Sequence, residues 1–138
     1  MLPALALIAL ATLAQIAPST PVAEQTQVAA ENVAAVDAAQ RFLVMIDQQQ
    51  WSESYAATGS RFRKVNTLKL WTDTSKQVRA PLGAMVARTL LSAETVPAPP
   101  RGFQNVKFRT QFVNKTVTET VALDHEQGVW RVVGIIID

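Results

Sequence analysis

No cysteine occurs among the 138 residues, and histidine occurs once, at His125. The first absence excludes a disulfide framework, a thiolate-bound metal and a lipid-modified cysteine. Together the two leave a transition-metal centre short of its usual three or four ligands, so neither a metal nor another cofactor is expected. A Gly-rich phosphate loop, a nucleophile elbow and an HExxH helix are also missing, which removes the common signatures of nucleotide, hydrolase and metalloprotease chemistry. Tyr55 is the only tyrosine, and aromatics make up 7% of the chain. Charge of one sign is lacking as well: 13 Lys and Arg against 11 Asp and Glu give +2, too little to argue for nucleic acid.

Charge is absent altogether from the start of the chain. Residues 1–17 are almost wholly apolar, no acid precedes Glu24, and no Lys or Arg precedes Arg41. That run, followed by small residues and by Pro18 and Pro21, reads as the hydrophobic region of a secretory signal. It lacks the basic residues that usually open such a signal, and it is slightly short for a membrane span of roughly 20 residues. The expected organisation is a signal peptide or N-terminal anchor with the start of a linker over 1–23, then one α+β domain over 24–138. An exported domain without disulfides must be held by its core, and a little over a hundred residues suffice for one modest core.

What is present is strongest in the last third. Apolar residues alternate over Phe103 to Val113, Thr116 to Leu123 and Val129 to Ile137, with short polar turns between them. A strand with one face on a core and one in water repeats every two residues, so these runs predict an antiparallel meander. Val106, Phe108, Thr110 and Phe112 should share one face, opposite Lys107, Arg109 and Gln111. A further strand is predicted from Ala84 to Ala93. The last strand has apolar residues of both parities (Val133, Ile135, Ile136, Ile137), which suits a central strand, a covered edge or a homodimer contact.

The first half reads as helix. Val36, Ala39, Leu43 and Ile46 recur at three and four residues and predict a long helix over Val28 to Gln50. A shorter piece begins at Trp51 and is stopped by Gly59. Asn66 or Thr67 can cap a third, whose stripe is Leu68, Trp71, Ser75 and Val78. Pro81 should end it and Gly83 should let the chain reverse. Grouped helices followed by grouped strands imply an α+β fold in which one long and two shorter helices pack on a curved four-stranded antiparallel sheet.

Several segments together resemble the bacterial family known as domain of unknown function 4019. They are Arg41-Phe-Leu-Val-Met-Ile-Asp47 with Trp51 and Tyr55, then Phe62, Val65 and Trp71, Val78-Arg-Ala-Pro-Leu-Gly83, Arg88, Phe108-Arg-Thr-Gln-Phe-Val-Asn114, Glu119-Thr-Val121 and Gly128-Val-Trp-Arg-Val-Val-Gly134. The resemblance implies exported or envelope-associated bacterial proteins with a cone-shaped domain of nuclear-transport-factor-2-like or cystatin-like type, and it implies no activity. Gln49, Gln50 and Trp51 stand where such sequences tend to have a glycine and a tyrosine. Ile135 stands where a tyrosine is expected.

The candidate ligand-binding residues are Trp51, Tyr55, Trp71, Arg79 and Arg88. Each has a structural alternative: the tryptophans can be core, and Arg79 can serve a helix C-terminus. Arg88 sits in an apolar strand and needs a partner, for which Glu119 is a candidate. Arg61, Arg63, Lys64 and Lys69 form a basic cluster that can face anionic lipid or glycan, or simply water. Asp47, Tyr55 and His125 are the residues a proton-transfer enzyme would use, although Asp47 suits a salt bridge and His125 lies in a turn. The expected function is an accessory module of the periplasm that binds a protein or small ligand in the concavity between helices and sheet. No residue is expected to be catalytic.

Overall fold

The computed structural model describes residues 22–98 and 102–138, so the expected leader lies almost wholly outside the described residues. Helices precede strands, as the patterning predicts. They are α1 (Val22–Asp47), α2 (Trp51–Ala56), α3 (Ser60–Val65) and α4 (Leu68–Arg79), followed by a 3₁₀ turn at Ala80–Leu82. The strands are β1 (Met85–Val96), β2 (Phe103–Phe112), β3 (Thr116–Glu126) and β4 (Val129–Ile137). The expectation of one long and two shorter helices is corrected to four, with α1 and α4 the long pair. The additional one is α3. Gly59 does not end the helical region; its backbone is extended and its carbonyl accepts the Arg63 amide at 3.1 Å, which starts the next turn.

The buried stripe of α1 is Ala35, Ala39, Phe42, Leu43 and Ile46, with Val36 at its margin. Spacings of three and four put these on one face, and the two alanines let the helix backbone lie close to the sheet. The helix ends in a Schellman motif: Gln50 N–H donates to Met45 O at 2.8 Å and Gln49 N–H to Ile46 O at 3.0 Å. The motif needs a left-handed residue, and Gln49 supplies it with φ 59°. Gln49 therefore occupies a conformation that normally selects glycine.

Thr67 is the cap of α4, its hydroxyl accepting the Leu70 amide at 3.1 Å. Trp71 and Ser75 are the buried members of the expected stripe, while Leu68 and Val78 are largely exposed. Trp71 stands between Phe42 and Phe62 at ring separations of 5.7 and 5.8 Å, and its indole N–H donates to Ser54 Oγ at 3.0 Å. This contact joins α1, α2, α3 and α4 into one layer.

The sheet is an antiparallel meander in the order β1-β2-β3-β4, open and only loosely curled where a curved sheet was expected. Val106, Phe108, Thr110 and Phe112 face the helices, and Arg109 and Gln111 face water. Gln127 and Gly128 both have positive φ, which is the geometry of a two-residue primed turn between β3 and β4. The final strand is an edge and not a central strand. Its edge is covered at Val132, where Gly59 N–H donates to the Val132 carbonyl at 2.8 Å and Val132 N–H donates to Ala57 O at 3.1 Å.

Replacing Gln49 by glycine should raise stability by about 0.5–1 kcal/mol, because it relieves the left-handed backbone without removing a buried contact. Urea unfolding followed by circular dichroism checks this. A lowered midpoint would show that the Gln49 side chain contributes more than its backbone costs.

Candidate functional site

Strict alternation along β1 would send Arg88 into water. Met85 pairs with Phe112 and faces inward, so counting by twos would bring Ala87 and Thr89 inward after it. Two surplus residues change this. Val86 has no partner between Met85 and Ala87, and Leu91 has none between Leu90 and Ser92. Each is a β-bulge that reverses the facing of the residues after it. The first turns Arg88 and Leu90 inward beside Thr110 and Phe108; the second restores Ala93 to the inner face beside Val106.

Turned inward, Arg88 meets two carboxylates. Its Nη1 and Nη2 donate to Asp47 Oδ2 and Oδ1 at 2.7 and 3.1 Å, a bidentate fork. Its Nε donates to Glu119 Oε1 at 3.0 Å and lies 3.2 Å from Thr110 Oγ1. Arg79, in the last turn of α4, donates from Nη2 to Glu119 Oε2 at 2.6 Å. Arg79 Nη1 lies 3.5 Å from Asp47 Oδ1 and makes no hydrogen bond. The four charges form a closed ring of alternating sign, pinning the end of α1, the end of α4, β1 and β3 to one another. Glu119 is wholly buried, and the other three side chains are 9–13% exposed.

Burial by itself would push the Glu119 carboxyl up. The Thr110 hydroxyl bonded to it and the Arg79 and Arg88 guanidinium groups outweigh that cost and hold it below the ordinary carboxylate value. Burial likewise opposes the charge on Arg88, yet the hydrogen bonds to Asp47 and the attraction of Glu119 and Asp47 raise its pKa. Glu119 and Arg88 are thus both held in their charged forms at neutral pH.

Above the ring lies a cleft of about 530 Å³. Ile46, Trp51, Met85 and Phe112 give it apolar walls, Asp47, Gln49, Lys76 and Arg79 give it polar ones, and Gly83 and Ala84 close one side. Gly83 is required here: its φ is 78°, and a Cβ would sit 3.1 Å from Asn114 Nδ2 and 3.2 Å from Val113 Cβ. Arg79 also lies over the Phe112 ring, 5.8 Å from its centroid.

Of the five expected ligand-binding residues, Trp51 and Arg79 line this cleft, and Arg88 does not line it but is bonded to the lining residue Asp47. Tyr55 and Trp71 lie elsewhere in the helical layer, where their polar atoms are engaged: the Tyr55 hydroxyl donates to Asn66 O at 2.7 Å and Trp71 to Ser54. The structure does not bring Asp47, Tyr55 and His125 together; His125 is exposed, its ring 4.8 Å from that of Trp130 on the β3–β4 hairpin. In the basic cluster, Arg63 donates to the carbonyls of Thr58 and Ala56, and Lys69 pairs with Asp73 one turn on. Arg61 and Lys64 are exposed. Sequence reasoning missed Gln49, Lys76, Met85 and Phe112 as cleft residues. The only advance signal was the spacing of Lys76 and Arg79, one helical turn apart at the end of α4.

Acid should unfold the protein through the ring. Glu119 titrates below its ordinary 4.5 in the folded state, so its stabilisation is complete above that value and is lost as the pH falls through the lower folded one. Glu126, held low by the Ser60 amide, acts in the same direction. The urea midpoint should stay level from about pH 8 to about pH 5 and fall below it. Glu119→Gln should cost about 3–5 kcal/mol at neutral pH and flatten that fall. Thr110→Val, which removes only the hydroxyl, should cost about 1–3 kcal/mol. An acid limb unchanged in both variants would place the titration elsewhere.

A family model described as "Protein of unknown function (DUF4019)" matches residues 38–135, a span that contains the whole ring and the cleft. No curated protein and no solved structure matches the chain.

Proposed function

Since the chain belongs to the DUF4019 family of proteins of unknown function, we propose that it is a non-enzymatic binding module of the bacterial cell envelope, holding a small ligand in the cleft between α1, α4 and the start of β1. The observation that carries this reading is the pairing of a roomy, half-apolar cleft with a floor whose charges are already spent on one another. A cavity of this size lies within the range of small-molecule sites, and apolar walls with a few placed polar groups are their usual make-up.

Proton transfer is less well supported. A general acid or base works best with a pKa near the working pH, whereas the surroundings of Glu119 move it away from neutrality. Both Asp47 oxygens accept from Arg88, and no described hydrogen bond or ion pair joins Asp47 to Tyr55 or His125. Contact with anionic lipid or glycan through the basic cluster is weakened in the same way, because Arg63 is engaged by backbone carbonyls and Lys69 by Asp73. Export rests on the apolar run of residues 1–17 and the prolines after it. The cone shape of the family resemblance is supported to the extent that a helical layer covers one face of a four-stranded meander.

Trp51 is the natural reporter, since it is the only tryptophan that lines the cleft. A metabolite panel screened by thermal shift should contain compounds that raise the melting temperature and alter tryptophan emission. At a hundred times the dissociation constant the gain is about 2.7 kcal/mol. Trp51→Leu should abolish the emission change and weaken binding, while Trp130→Phe should leave both intact. Flat melting curves across the whole panel would overturn the reading.

A further inference from the structure

We infer that the ligand of this cleft is an organic anion, one carboxylate on a flat apolar body, with Lys76 as the residue that selects its charge; this rests on the cleft being a ligand site at all.

Most acceptors around the cleft are engaged, the exception being the Gln49 side-chain amide, which can accept or donate. Asp47 receives both arms of the Arg88 fork, and Glu119 receives Arg79, Arg88 and Thr110. The backbone carbonyls beside Gly83 are occupied as well: Pro81 O accepts from Asn114 Nδ2 at 3.1 Å, Leu82 O from Asn114 N at 3.0 Å and Ala84 O from Val113 N at 2.9 Å. A cationic or donor-rich ligand would find few partners here and would have to break existing bonds.

One exposed cation remains among the described cleft residues. The ring sums to zero charge, because Asp47 and Glu119 balance Arg79 and Arg88. Lys76 is outside that balance. It is exposed, lines the cleft, and has no ion-pair partner among the described residues. Arg79, one turn further along α4, keeps Nη1 buried beside Asp47 without a hydrogen bond, so it adds no exposed donor. The net charge facing a ligand is therefore positive and comes from one ammonium. Opposite it, Trp51, Met85 and Phe112 offer apolar and aromatic surface, which suits a flat body better than a flexible polar one. A compact ammonium that attracts without a fixed fork geometry suits a single carboxylate.

Three probes of one shape separate the alternatives: 2-naphthoate, 2-naphthamide and 2-naphthylmethylamine, titrated into the protein by calorimetry. The anion should bind about tenfold more tightly than the neutral amide, the worth of one charge-assisted contact, and the amine weakest of all. Lys76→Gln should remove the preference of the anion over the amide, and Lys76→Glu should reverse the order of anion and amine. Both variants should melt with the wild type, since Lys76 is exposed and outside the ring. Equal binding of all three probes, or a preference that survives Lys76→Gln, would overturn the inference while leaving the cleft as a binding site. No binding by any of the three would remove the cleft and the inference together.

Discussion

Four buried charges in a closed ring fix how the helical layer sits on the sheet. Asp47 comes from the end of the first helix, Arg79 from the end of the last, Arg88 from the first strand and Glu119 from the third. No two of them are neighbours in the chain, and each satisfies groups that the others would otherwise leave bare. A buried ion without its partner costs several kcal/mol, so the four have to arrive together. Apolar contacts between α1 and the inner face of the sheet tolerate some sliding, because dispersion and burial are not directional. The bidentate fork between Arg88 and Asp47 does not tolerate it. A buried ion ring is weak evidence of net stability, but its directional bonds restrict how α1 can sit on the sheet.

The same ring gives the cleft its character. It places Asp47 and Arg79 on the cleft, with their charges balanced inside the ring and Arg79 Nη1 left without a hydrogen bond. Beyond the ring, the cleft is lined by the exposed Lys76 and by the apolar Trp51, Met85 and Phe112. In the proposed binding role, positioning would lie with residues that hold the fold and selection with Lys76, which does not. A division of this kind lets ligand preference change without loss of the domain.

Much of this was legible in the sequence, and the reasons for the rest are physical. The alternation of β2 and β3 could be read because one face meets the core and the other meets water. Thr67, Pro81 and Gly83 mark the start and finish of α4 through capping, the missing proline amide and positive φ. The need of Arg88 for Glu119 followed from the cost of an unpaired charge in an apolar strand. By contrast, α3 was hidden because Gly59 reads as a helix stop, whereas α2 has already ended at Ala56 and Gly59 is the N-cap of the next helix. Gln49 was hidden because nothing local announces glutamine in a glycine conformation. The cleft was hidden because its walls come from α1, α2, α4, β1 and β2, and spacing within any one of them says little. Asp47 suited a salt bridge, yet its partner lay 41 residues away behind a bulge that breaks the two-residue count.

Val86 and Leu91, the two surplus residues of β1, have a consequence of their own. Both are among the most exposed apolar side chains of the strand, at 57% and 54%. A version of the strand lacking both would keep every inward contact, including that of Arg88, since the remaining residues would alternate without interruption. It would also be straight, and its outer rim would offer an unbroken row of backbone groups to any extended chain that met it. Kinks at an edge spoil that row and twist it away from a would-be template. Two interruptions along this outer strand therefore leave it a poorer template for a second chain than a straight strand would be.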